Sequence, residues 1–147
     1  MAKMNSRVER SLDASSKVAL RPESSAALVA AATVAETGIA LSSGLAYFNL
    51  GEFDYGSFEV VIDVNSAVFT SNESYQVVVE IASDLAFTTP LQVAAIPNIA
   101  VTGGPGAYVL QLHGPTLKKL YPTLAYIRVK SIVAGTAPSF DYFAWLL

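Results

Sequence analysis

The sequence of 147 residues contains no cysteine, one histidine and one tryptophan. Without cysteine there is no disulfide framework, no thiolate nucleophile and no cysteine-ligated metal. Charged residues make up 14% of the chain, compared with about 25% in an average domain. Because 52% of the residues are hydrophobic, we expect a folded, globular domain. Its charged residues are too few to cover a fully solvated exterior.

The chain also lacks a long, uninterrupted apolar run. Residues 24–35 are uncharged but fall short of the roughly 20 apolar residues that a membrane-spanning helix needs. Residues 85–117 carry no acidic or basic residue other than the histidine, but four prolines interrupt them. Residues 26–35 resemble the apolar part of a signal peptide, yet the segment before them is too long and too mixed in charge. We therefore expect no membrane partner, and synthesis in the cytoplasm.

Charge is unevenly distributed along the chain. Residues 1–25 hold five basic and three acidic side chains, a net charge of +2, whereas residues 26–147 have a net charge of −5. A basic, serine-rich segment ahead of an acidic body predicts an extended N-terminal arm over residues 1–25 and a single domain over residues 26–147. A frayed terminus is the alternative interpretation. Lysine and arginine are too sparse for a nucleic-acid-binding tail, so we expect no nucleic acid partner.

Apolar and polar residues alternate in several short segments, which indicates strands with one buried face. Glycine, proline and small polar residues mark turns between them, at residues 70–74, 103–106 and 135–139. Several short strands separated by such turns favour an all-β fold, a jelly-roll-like antiparallel β-sandwich. The predicted strands are residues 58–64, 75–81, 91–96, 107–112, 125–133 and 140–147.

Helix signals are sparse. Residues 116–121 can form one helical turn before Pro122. Residues 26–35 are ambiguous, because their alanines favour a helix while Val29, Thr33 and Val34 favour a strand. Since most of the later segments indicate strands, we expect residues 26–35 to be extended.

The last predicted strand is apolar on both faces. Phe140, Tyr142, Ala144 and Leu146 alternate with Phe143, Trp145 and Leu147, and Asp141 is its only charge. A strand that is apolar on both faces is typically buried on both sides. The second face is covered either by a neighbouring subunit or by another part of the same chain.

A set of residues that could support catalysis or bind a metal is not evident. His113 has no acidic partner near it in the sequence, so we expect a solvent-facing or hydrogen-bonded loop histidine. Glu52 and Asp54 form a Glu-x-Asp pair, but Ca²⁺ needs roughly six to eight oxygen ligands, which two acids alone do not supply. We therefore expect no enzymatic activity, no cofactor and no metal.

Aromatic residues cluster between positions 47 and 58. Tyr47, Phe48, Phe53 and Tyr55 precede the first strongly predicted strand. Such side chains can stack on sugars, but clustered aromatic residues more often contact the core or a neighbouring subunit. We favour the contact role for this segment.

The C-terminal third carries four short motifs: AYVL at residues 107–110, YIRVK at 126–130, GTAPS at 135–139, and the closing apolar strand. Together they resemble a family of cement (decoration) proteins of tailed bacteriophages, in which a strand with a Tyr-x-Arg-Val core precedes a Gly-Thr-x-Pro-Ser turn and a closing apolar strand. The resemblance covers about residues 36–147, and the earlier part of that range is similar in layout more than in residues. Residues 1–35 match the family poorly.

The resemblance implies a jelly-roll-like trimer on the outer capsid surface of a virion, with the major capsid protein as partner. Such trimers bridge capsid subunits and stabilise the shell against internal pressure. The alternative is a phage tail or fibre module that binds a carbohydrate. The candidate capsid or subunit contacts are Arg7, Arg10, Lys17, Arg21, Phe48, Phe53, Tyr55, Phe143 and Trp145.

Overall fold

The computed structural model describes residues 19–40, 57–99, 106–122 and 125–146. These residues form short and medium-length strands and one seven-residue helix. The strands are β1 (Ala19–Arg21), β2 (Ala32–Ala35), β3 (Ile39–Ala40), β4 (Ser57–Ala67), β5 (Ser74–Ala82), β6 (Leu91–Ile96), β7 (Gly106–His113), β8 (Tyr126–Ala134) and β9 (Phe140–Leu146); the helix is α1 (Gly114–Leu120).

The strands form two antiparallel sheets. Sheet A has the order β1-β9-β4-β7, and sheet B has the order β2-β8-β5-β6, with β3 pairing with β8 further along the same edge. The pairs β1–β9, β2–β8, β4–β7 and β5–β6 form one nested ribbon whose successive pairs fall in alternate sheets. This is the topology of a jelly roll, and it confirms the predicted all-β sandwich.

The core lies between the two sheets and follows the predicted alternation. The inward residues of β5 and β8 are buried, as are those of β4 and β9. Three stacked or edge-packed aromatic contacts cross the interior, joining Phe69, Tyr75, Phe140 and Tyr142. Such contacts stabilise a core beyond the area they bury.

One polar pair lies inside this core. The hydroxyl groups of Ser131 and Tyr142 are 2.5 Å apart and hydrogen-bonded, so each satisfies a group that would otherwise be buried without a partner. Burial raises the pKa of Tyr142 to about 12, even though the Ser131 hydrogen bond acts in the opposite direction. The Tyr142 hydroxyl therefore stays protonated at neutral pH.

Two turns, at residues 70–74 and 135–139, are joined by hydrogen bonds at one end of the sandwich. The carboxylate of Glu73 accepts hydrogen bonds from the backbone N–H groups of Thr70 and Ser71 at 2.7 and 2.8 Å. In the neighbouring turn, the backbone N–H and the hydroxyl of Thr136 donate to the side-chain oxygen of Asn72. The Tyr75 hydroxyl donates to the backbone carbonyl of Val68 and accepts from the backbone N–H of Ser139, so it bonds to both connecting segments.

The predicted strands are confirmed, with bounds that differ by a few residues. Residues 26–35 contain no helix: β2 occupies their second half, and Leu28 forms an isolated bridge to Phe140. The short predicted helical turn is α1, which has a proline in its first turn. The described residues contain no helix with the length and hydrophobicity of a membrane span.

The predicted boundary of the arm is wrong. Residues 19–21 are not part of an arm but form β1, which pairs with β9 at the edge of sheet A. The prediction failed because charge distribution alone set the boundary, and a three-residue strand gives almost no periodic signal. The remainder of the predicted arm, residues 1–18, lies outside the described residues.

Candidate interaction surface

The outer face of sheet B carries a compact ionic cluster. Glu80 is buried, and its carboxylate pairs with Arg128 at 2.8 Å and with Lys130. Burial alone would raise the pKa of Glu80, but the hydrogen bonds and charges of Lys130 and Arg128 outweigh it, so the pKa lies below its ordinary value. The charges on this face are thus largely matched within the chain.

A loop of the same chain also covers part of that face. Phe87 is buried in a left-handed backbone conformation, with φ of 52°. The Cζ atom of Arg128 lies 4.0 Å from the centroid of the Phe87 ring, within range of a cation–π interaction. The same ring packs against Gly38, where a β-carbon would clash with it. The Asp84 side chain holds the loop by accepting from the backbone and hydroxyl of Thr88. This part of sheet B therefore has few charged groups that are not already paired within the chain.

The outer face of sheet A differs in both shape and charge. Its register places Val61 between Trp145 and Val109, and Asp63 opposite Phe143. None of the described outward-facing residues of β4, β7 and β9 is lysine or arginine. We define this surface, called face A below, by Glu59, Val61, Asp63, Val109, Gln111, Asp141, Phe143 and Trp145.

Two aromatic side chains dominate face A. The rings of Phe143 and Trp145 stack with their centroids 5.0 Å apart and their planes 17° from parallel. Both residues are half-buried, and Val109, on the far side of Val61, is 53% exposed. The prediction that β9 is buried on both sides thus holds for its inner face, while the second face is half-buried. Aromatic residues in this setting are typical of contact surfaces.

Three carboxylates surround this apolar centre. Gln111 donates to Glu59 at 3.2 Å, and Asn65 donates to Asp141 at 3.2 Å, so two of the acids are held by neutral amides. Asp63 lies directly opposite Phe143 on the neighbouring strand. Face A is therefore an aromatic pair with an acidic surround. Its chemistry matches a partner that presents both apolar and cationic groups.

Arg21 does not belong to any exposed contact surface. It is 4% exposed, and its guanidinium pairs with Glu36 and donates to the backbone carbonyls of Tyr142 at 2.9 Å and Ala26 at 2.6 Å. It also lies 4.8 Å from the centroid of the Tyr142 ring. These contacts tie β1 to the rest of the fold, which argues against the predicted role of Arg21 as a capsid or subunit contact.

The other predicted residues divide into two groups. Phe143 and Trp145 lie together on face A. Arg7, Arg10, Lys17, Phe48, Phe53 and Tyr55 lie outside the described residues, as do Glu52 and Asp54.

The acids of face A were missed from the sequence. Their signal was present, since Glu59 and Asp63 are the polar positions of an alternating strand. Alternation shows that they face outward, but only the strand order β9-β4-β7 places them beside the aromatic pair.

The lone histidine behaves as the sequence predicts. His113 is exposed, and its Nδ1 lies 2.7 Å from the Thr116 hydroxyl at the start of α1. Within residues 19–40, 57–99, 106–122 and 125–146, no three His, Cys, Asp or Glu side chains come together as metal ligands.

In comparisons with known proteins, no family model, no curated protein and no solved structure matches the chain.

Proposed function

We propose that this chain is a non-enzymatic capsid cement protein. In this role it binds the outside of a phage shell as a homotrimer and stabilises the shell by bridging major capsid protein subunits. The observation that carries the proposal is face A, where the stacked rings of Phe143 and Trp145 form an apolar centre on the outside of the sandwich. The resemblance of residues 36–147 to cement proteins supports the same role.

A cement protein acts through contact area and repetition. Stable interfaces bury roughly 1,200–2,000 Å², and the clustered aromatic residues of face A suit the centre of such a contact. In a trimer each contact is made three times, so modest affinity at each site adds up to tight binding. The basic residues Arg7, Arg10 and Lys17 are the second element, proposed to meet acidic surface on the capsid or on a neighbouring subunit.

The test uses particles of the phage whose genome encodes the chain. Particles that lack the protein are incubated with purified chain, and occupancy is measured by quantitative mass spectrometry and cryo-electron microscopy. We expect density on the outer shell that bridges capsid subunits, together with a higher temperature of DNA release. Absence of the chain from native particles would contradict the proposal.

Two variants localise the contact. Trp145→Ala removes part of the aromatic centre and is expected to lower occupancy, as is a chain that begins at Ala19. The matched control is Leu85→Ala, which removes an apolar side chain that is 57% exposed on the loop over sheet B. Equal occupancy for all three would show that neither face A nor residues 1–18 contact the capsid.

The trimer is tested separately from capsid binding. Sedimentation equilibrium of the purified chain is expected to give three times the 15.5 kDa mass of one chain. A monomer at micromolar concentration would contradict a trimer that forms before the chain reaches the shell.

A second candidate is a carbohydrate-binding module of a phage tail or fibre. The specific observation in its favour is also on face A, where aromatic rings can contact sugar C–H groups while Asp63 and Asp141 accept from hydroxyl groups. A glycan array separates the two proposals. Binding to a defined glycan that Trp145→Ala abolishes would favour the module over the cement.

A further inference from the structure

The centre of face A has the burial of a covered surface. Val61 points outward from the middle of sheet A, yet it is only 5% exposed. The indole Nε1 of Trp145 is buried and lacks a hydrogen-bond acceptor. An N–H group that is shielded from water without an acceptor costs free energy, which a peptide carbonyl laid over this face would recover.

The chain itself delivers a segment to this surface. Strand β1 is the edge strand of sheet A, and its first residue, Ala19, lies opposite Trp145. Residues 1–18 are therefore tethered beside the aromatic pair, at high effective concentration. Neighbouring strands lie about 4.8 Å apart, so 18 residues, which reach up to roughly 60 Å when extended, are long enough to cross all four strands.

The charges are complementary. Face A carries Glu59, Asp63 and Asp141 and no basic strand residue among those described. Residues 1–18 hold four basic and two acidic side chains, a net charge of +2. Residues 41–56 hold two acids and no base, so the like charge of face A disfavours them as its cover.

We propose that residues 1–18 lie across face A of their own chain. Lysine and arginine side chains of the segment meet the three carboxylates, and a backbone carbonyl of the segment accepts from the indole N–H of Trp145. The segment thereby shields the aromatic pair in the free protein. This inference concerns the free chain and does not depend on the cement role. On a capsid the segment would leave face A, so that the basic residues and the aromatic pair both contact the shell.

Trp145 is the only tryptophan, so its fluorescence reports on this surface alone. A chain that begins at Ala19 keeps β1 and is compared with the full chain. We expect its emission to shift to longer wavelength and acrylamide to quench it more strongly. A synthetic peptide of residues 1–18 should reverse both changes, with an affinity that falls as salt rises.

Two double variants, one of basic and one of acidic residues, test whether charge holds the segment on face A. In the full chain, Arg7→Gln with Arg10→Gln is expected to shift emission towards that of the truncated chain, whereas Glu9→Gln with Asp13→Asn should leave it unchanged or more blue-shifted. These full-length variants keep the proposal testable if the truncated chain does not fold. Far-ultraviolet circular dichroism verifies that each variant keeps its strands.

A further mixture identifies which copy supplies the segment. Full-length Trp145→Phe lacks the fluorophore of this site but retains residues 1–18. It is unfolded and refolded together with the truncated chain, so that copies of both can enter the same assembly. We expect no change in emission, because its segment is engaged on its own face A. A blue shift would show that a second copy is the occupant and would overturn the proposal, as would identical emission of the full and truncated chains.

Discussion

A β-carbon built on Gly135 would lie 2.6 Å from the α-carbon of Glu73, which is closer than non-bonded carbon atoms approach each other. Gly135 also has φ of 118°, a conformation that side chains strongly disfavour. We therefore expect Gly135→Ala to lower the free energy of unfolding by about 2–4 kcal/mol through backbone strain and overpacking. Urea denaturation measures this, with exposed Ser83→Ala as the control. A loss no larger than that of the control would show that the two turns can separate without cost.

The second prediction concerns acid stability. The backbone N–H groups of Ser71 and Thr70 hold the carboxylate of Glu73 ionised, although burial works against them, and its pKa falls from 4.5 to about 2. Because the pKa is lower in the folded state, this stabilisation is complete above pH 4.5 and is lost as the pH falls towards 2.

Glu73→Gln should therefore be less stable than the native chain at neutral pH, and the difference should shrink between pH 4.5 and 2. Thermal melts across that range measure the effect, with exposed Glu23→Gln as the control. The remaining acid sensitivity should reflect Glu80, whose lowered pKa acts in the same direction. A difference that stays constant with pH would contradict the assignment.

The third prediction is a double-mutant cycle on the buried hydroxyl pair. Tyr142→Phe leaves the Ser131 hydroxyl without its partner, and Ser131→Ala does the same to Tyr142. Each single change should cost about 1–3 kcal/mol of unfolding free energy. The double variant should cost less than the sum, since it leaves no orphaned group. Additive losses in guanidinium denaturation would mean that the two hydroxyls do not depend on each other.

The fourth prediction separates a structural role for Arg21 from a contact role. Arg21→Gln removes the ion pair with Glu36 and the contacts that hold β1, so we expect a loss of about 2–4 kcal/mol. Arg21→Lys should recover only part of it, because lysine lacks the planar, branched donor set of arginine. The exposed residue Lys119 provides the control, as Lys119→Gln. Native stability with reduced partner binding would instead restore Arg21 as a surface contact.

Most of the fold could be predicted because the long strands alternate cleanly. Residues such as Val77 and Val79 face the core while Gln76 and Glu80 point away, and this pattern needs only local information. The turn residues of the 70–74 and 135–139 segments were equally local signals. The sheet order, by contrast, depends on pairings between distant segments.

What could not be predicted depended on those distant pairings. Arg21 looks like an arm residue in sequence, and only the pairing of β1 with β9 reveals its contacts with Tyr142 and Glu36. The acidic surround of Phe143 and Trp145 depends in the same way on β4 lying beside β9. Alternation identifies the outward side of each strand, but not its neighbours.

The position of β9 in sheet A has a consequence for synthesis on the ribosome. It lies between β1 and β4, although it follows all the other described strands in the chain. Until β9 emerges, β4 can pair with β7 but has an open edge on its other side, and β1 has no partner in the sheet. Non-local closure of this kind slows folding and exposes strand edges. A chain stalled before residue 140 should therefore retain an aggregation-prone edge until elongation resumes and supplies β9.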